Sequence, residues 1–112
     1  MVIVFIRTQM RPDHDRAAYE VLNFAMFELV QRIPGFVSVV GYAGDGEDVG
    51  VVRFASLAAL RAWREHPEHL AVQERGRAEF YKNYTIEVCE VIRAHDFAVG
   101  TDEPDRPPVR EP

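Results

Sequence analysis

The sequence predicts an α+β domain built on a ferredoxin-like, split βαβ sheet, and three observations carry that prediction. Segments of strand and helix periodicity follow one another in the order strand, helix, strand, strand, helix pair, strand. Asp45-Gly46 separates the two middle strands, where a tight hairpin needs residues that accept positive φ. The first strand, Val2-Ile3-Val4-Phe5-Ile6, and most of Phe36 to Val40 are apolar without alternation, so both faces of the sheet need cover. Helices cover only one face of such a sheet, and a second copy of the sheet is the economical cover for the other. A sheet-on-sheet homodimer is therefore expected, and at about 25 cal/mol per Å² of apolar area it should be obligate.

Each element has its own local cause. Val2 to Gln9 is a β-branched run stopped at Arg11-Pro12. Asp13 is a candidate N-cap for a helix in which Ala18, Leu22, Ala25, Leu29 and Ile33 recur at helical spacing, and Pro34-Gly35 ends it. Phe36 to Tyr42 and Asp48 to Phe54 form the hairpin strands. Gly44 and Gly46 do not make a phosphate loop, because a strand rather than a helix follows them. Ser56 can cap a second helix through Trp63, with Leu57, Leu60 and Trp63 on one side. Pro67 pushes His66 out of helical geometry and starts a further helical piece. On that piece His69, Val72, Gly76 and Phe80 share a face, and Gly76 lets the face approach a neighbour closely. Tyr84 to Arg93 is the last strand. The domain takes residues 1–97, and residues 98–112 form a tail. From Gly100 to Pro112 there are four prolines, mixed charges and almost nothing apolar, which reads as a mobile tail or an arm lying on a partner.

Composition narrows the function. At 112 residues the chain supports one core. A net charge of -5, with Lys and Arg dispersed among acids, argues against nucleic acid and against an anionic membrane surface. The apolar opening MVIVFI is too short to span a bilayer and has no basic region before it, so a cytoplasmic protein is expected. The lone Cys89 cannot form an intrachain disulfide, and in an apolar run it reads as an inert buried thiol.

The segments DVGVVRF, SLAALRAW, HPEH, QERGR, FYKNY and VCEVIR, in this order and spacing, resemble the antibiotic biosynthesis monooxygenase (ABM) domain superfamily, the dimeric α+β barrels, from Val2 to Arg93. The resemblance implies a pocket inside each subunit, between helices and sheet, that holds a small aromatic molecule. It does not single out a reaction, since the superfamily includes haem-degrading enzymes and members without an assigned activity. Polyketide-tailoring members look like cofactor-independent oxygenases that convert phenolic, anthrone-type substrates to quinones, the deprotonated substrate itself reducing oxygen. Such chemistry needs an apolar slot, a proton acceptor, a group to stabilise the enolate, and exclusion of water.

Specific residues can meet these needs. Trp63 matches a pocket tryptophan of oxygenase branches, although a lone Trp also serves as a core anchor. His69 is the candidate base, because its stripe points inward and imidazole titrates near working pH. Arg77 and Tyr81 are expected along the helix from His69, where either could face an oxyanion. Tyr19, Asn23 and Phe27 follow i, i+4 spacing and could wall the pocket, and Gln73 and Phe80 complete the expected substrate contacts. His66 is expected to face solvent or cap a helix. No metal site is expected, because Pro67 interrupts the His66–His69 pair and no third ligand is near. Glu87 and Glu90 fall on opposite faces of a strand and form no acid/base pair. Haem degradation is a competing reading. The resemblance would then ask for an asparagine near the end of the first strand, where Ile6 or Arg7 stands, and for a histidine ligand where Gln73 stands, with only Trp63 retained. A third reading is a dimeric barrel that binds a hydrophobic metabolite without turning it over.

Overall fold

A computed structural model describes residues 1–100 and, as backbone, residues 109–111. The elements are β1 (Val2–Met10), α1 (Arg16–Gln31), β2 (Phe36–Gly44), β3 (Glu47–Phe54), α2 (Leu57–Arg64), α3 (Pro67–Glu79) and β4 (Tyr81–Glu90). The four strands form an antiparallel sheet in the order β2-β3-β1-β4, the ferredoxin-like topology the periodicities predict. A small two-stranded sheet pairs β5 (His95–Phe97) with β6 (Val109–Glu111). Residues 101–108 and 112, which make up most of the expected tail, lie outside the described residues.

Local chemistry accounts for the boundaries. The β2–β3 hairpin turns on Asp45 (φ 50°) and Gly46 (φ 74°), both positive as the tight turn requires. Ser56 Oγ accepts from the Ala59 N–H at 3.1 Å and caps α2. His66 Nδ1 accepts from the Glu68 N–H at 3.1 Å, so His66 caps α3 while Pro67 takes its first position.

Three expectations about the helices need correction. Asp15, not Asp13, caps α1, its Oδ1 accepting from the Ala18 N–H at 3.1 Å. The preceding residues are held in a turn closed by the His14 N–H on the Arg11 carbonyl, which delays the helix start. The buried stripe of α1 is Leu22, Leu29 and Val30, with Met26 packed against the core, whereas Ala25 is exposed. On α2, Ala59, Leu60 and Trp63 face inward and Leu57 stays half exposed.

Strand register arranges the helix-facing side of the sheet as rungs. Phe54 pairs with Val2, and next come Val39, Val52, Val4 and Val88. Gly41, Gly50, Ile6 and Ile86 form the following rung, and Ala43, Asp48, Thr8 and Tyr84 the one after. The first two rungs pack with Leu29, Val30 and Ile33 of α1 and with Ala59, Leu60 and Trp63 of α2. Phe54, wholly buried, sits at the centre with its ring 5.6 Å from that of Trp63. By alternation, Ile3, Phe5, Val40, Val51 and Cys89 occupy the opposite, helix-free side of the sheet. Cys89 is exposed there, which corrects its reading as a buried thiol; β4 is an edge strand with no helix over that face. Among the described residues no helix is long and apolar enough to cross a membrane.

Candidate active site

Beyond the packed rungs the helices and the sheet separate and leave a cavity of about 540 Å³. Its floor is formed by the outer rungs of the sheet, and its walls by α1 and by the α2–α3 pair. That volume suits a small organic molecule.

The α2–α3 junction supplies Trp63 and His69. Pro67 forces a new helix start between them, so the two side chains come together from successive helices rather than from one continuous face. Their ring centroids are 4.2 Å apart, both residues are buried, and both line the cavity. His69 Nδ1 lies 3.3 Å from the Arg64 carbonyl oxygen. A carbonyl can only accept, so Nδ1 carries the proton and Nε2 keeps its lone pair. Burial lowers the pKa of His69 below 6.5, and nearby His66 adds to the effect, while the Arg64 hydrogen bond opposes it. The imidazole is thus neutral at pH 7 and able to take a proton. Trp63 packs in the core and also lines the cavity. Its Nε1 is buried with no hydrogen-bond partner, alone in this among the described buried side-chain nitrogens and oxygens.

Tyrosines line another part of the cavity. Tyr19 of α1 and Tyr81 and Tyr84 of β4 all contribute, with ring centroids 6.3 Å apart for Tyr19–Tyr81 and 5.7 Å for Tyr81–Tyr84. Burial, helped by Tyr81 and Asp48, pushes the Tyr19 pKa up to about 12. Burial also raises Tyr81, with Tyr84 adding and Arg77 opposing. Both phenols stay protonated donors at neutral pH.

Tyr81 reaches this position because α3 stops earlier than its sequence suggests. The Arg11 guanidinium donates to the carbonyls of Arg77 at 2.6 Å, Ala78 at 2.8 Å and Tyr81 at 3.1 Å. The Arg11 N–H also donates to the Phe80 carbonyl at 2.8 Å. One arginine from the end of β1 thereby satisfies the helix terminus and starts β4 at Tyr81. Gly76 makes room for the Tyr81 ring, since a Cβ at Gly76 would fall within that ring.

Of the residues expected at the site, Trp63, His69, Tyr81, Tyr19, Asn23, Phe27 and Gln73 all line the cavity. Two do not. Arg77 is exposed, its Nη1 donating to Tyr84 Oη at 3.3 Å, because on α3 it stands one position past the inward-facing Gly76, off the buried stripe. Phe80 is 2% exposed and lies behind the wall, its ring 5.5 Å from that of Tyr19. Sequence reasoning missed Thr8, Asp48 and Tyr84, which form a polar rung of the floor. The signal was present in β1, where Val2, Val4, Ile6 and Thr8 share one face and only the last is polar. Among the described residues no three His, Cys, Asp or Glu side chains gather as a metal site.

The sequence model of antibiotic biosynthesis monooxygenases matches residues 1–75. YqjZ of Bacillus subtilis (strain 168) is 34% identical over 79 residues, which cover 70% of this chain and 69% of YqjZ. The Rv0793 protein of Mycobacterium tuberculosis is similar in structure, with a TM-score of 0.72 at 26% identity, over 82% of this chain and 95% of that one. SnoaB of Streptomyces nogalater, a cofactor-independent oxygenase, gives a TM-score of 0.66 at 18% identity, over 93% and 97% of the two chains. The likeness to SnoaB is one of fold.

Proposed function

The chain belongs to the antibiotic biosynthesis monooxygenase family, and from that premise we propose that its cavity oxidises a small, acidic phenolic or anthrone-type aromatic with O2 and without a cofactor. The observation that carries the reading is the Trp63–His69 pair: a buried neutral imidazole with a free Nε2, in ring contact with an indole whose N–H lacks a partner. In this mechanism His69 Nε2 takes a proton from the acidic carbon of the substrate. The Trp63 N–H donates to the substrate oxygen on which the enolate charge develops, and Tyr81 is the second donor within the cavity. The enolate then reduces O2, and a C–O bond forms as a hydroperoxide, which takes up one proton. Loss of water, with departure of the remaining hydrogen on that carbon, leaves a quinone carbonyl. One atom of O2 ends in the product and the other in water. Trp63 and Phe27 hold the ring plane, and the burial of His69 keeps bulk water from the base.

Haem finds less support. His69 is the only histidine on the cavity wall among the described residues, Gln73 stands where the resemblance would put the ligand, and the 4.2 Å spacing of Trp63 and His69 leaves no room for a macrocycle between them. We further infer a homodimer through the helix-free face of the sheet, supported by Ile3, Phe5, Val40 and Val51 on that side.

The test is O2 uptake with a panel of anthrones. His69→Ala is expected to lower kcat about a hundredfold. Wild-type protein that turns over no phenolic substrate would favour a binding role. Sedimentation at micromolar concentration checks the assembly, and a folded monomer would refute the sheet-face dimer.

A further inference from the structure

Gly41 and Gly50 are cross-strand partners on the helix-facing side of the sheet, and both line the cavity. Nothing in the fold explains why both are glycine. Neither has a positive φ, a property confined among the described glycines to Gly35 and Gly46. No heavy atom lies within 4 Å of a Cβ built on Gly41, and a Cβ on Gly50 meets only Ile6 Cβ, at an ordinary 3.9 Å. A glycine inside a strand weakens it and is often a mark of close approach by a ligand or another backbone. No other backbone comes close here, and the missing side chains point away from the face assigned to the dimer. What they leave is a bare strip of sheet beside Ile6, within the cavity that Trp63 and His69 also line.

We infer that Gly41 and Gly50 form a size-selecting subsite, a flat floor that takes the distal rings of a fused, planar polycyclic substrate lying against bare peptide while its acidic end meets Trp63 and His69. The inference rests on the proposed aromatic substrate and adds to it. The slot selects for fused three-ring systems over single rings, and the glycines are held open for the substrate rather than for the fold.

Trp63, the only tryptophan of the chain, is a built-in probe. Quenching of its fluorescence by phenol, naphthol and dihydroxyanthrone is measured under anaerobic conditions for wild type, Gly41→Val and Gly50→Ala, together with thermal melts. Wild type should bind the three-ring probe most tightly. Gly41→Val should weaken that probe about tenfold, with Gly50→Ala following in the same direction, and leave phenol within about twofold. Both variants should melt at or above the wild-type temperature, because a side chain suits a strand better than glycine does. Three-ring binding that survives both substitutions overturns the subsite and leaves the aromatic reading standing. Loss of melting temperature in both variants also overturns it, since the glycines would then serve the fold. Wild type that is quenched by none of the probes overturns the aromatic reading and the subsite with it.

Discussion

His69 and Tyr19 border the same cavity, and loss of water drives their proton affinities in opposite directions. Burial lowers the imidazole and lifts the phenol to about 12. In both cases it disfavours the charged form, so at neutral pH one region offers a lone pair and the other offers O–H donors. The two regions are also built differently. Trp63 and His69 are brought together by one proline-forced helix break, whereas Tyr19, Tyr81 and Tyr84 depend on the packing of α1 beside α3 and on the Arg11 clasp. The rise along α3 from His69 to Gly76, on which Tyr81 lies, is about 10 Å at 1.5 Å per residue. A fused planar substrate can span that distance, and a single ring cannot.

The contrast can be broken first by acid. With the folded pKa of His69 below the unfolded 6.5, kcat/KM should be flat above that pH and should fall about tenfold per pH unit once the folded pKa is passed. Stability follows the same sign. Below pH 6.5 the unfolded chain binds the proton that buried His69 resists, so stability drops as pH falls through this window, and His69→Ala should remove that contribution. A pH–rate profile with no acid limb down to the pH at which the protein unfolds would mean that His69 is not the base.

Gly76→Val attacks the tyrosine region directly. The new side chain must displace the Tyr81 ring, and urea titration should show a loss of about 1–3 kcal/mol. An unchanged midpoint would mean that the ring does not rest on α3. Trp63→Phe keeps an aromatic ring and removes the orphan N–H. Affinity for a carbonyl-bearing aromatic should fall about tenfold, the worth of one buried hydrogen bond, as read by calorimetry.

Tyr19→Phe should have the smallest effect near neutral pH, about twofold on KM, as one donor among several. Its signature lies in alkali. With a folded pKa of about 12 against 10 unfolded, the unfolded chain gives up its phenolic proton first, so wild type loses stability as pH rises through that interval. The variant should lose less there in denaturant titrations, and equal losses would show that Tyr19 is not buried in this way.

Much of this architecture was legible because it depends on neighbours in sequence. Asp45-Gly46 can turn tightly whatever surrounds it, and Pro67 excludes His66 from a helix whatever packs on it. The inward stripe of His69, Gly76 and Phe80 was legible for the same reason, and all three are buried. The errors fall where a distant residue intervenes. Tyr81 was assigned along a helix that Arg11, far away in sequence, brings to an end. Cys89 sits in an apolar run, yet its position on an edge strand, facing away from the helices, leaves it exposed. Thr8, Asp48 and Tyr84 become one polar rung only through strand register.

The sequence by itself determined the order of the elements, the hairpin, the proline-split helix and a sheet too apolar to be covered on one side, since each follows from backbone sterics and periodicity within a few residues. Tertiary structure alone decided that Trp63 belongs to core and cavity at once, that Phe80 lies behind the wall, and that Gly41 faces Gly50 across an open floor. Those outcomes depend on register and on helix placement over the sheet, which are set by contacts between segments far apart in the chain, and no local pattern encodes them.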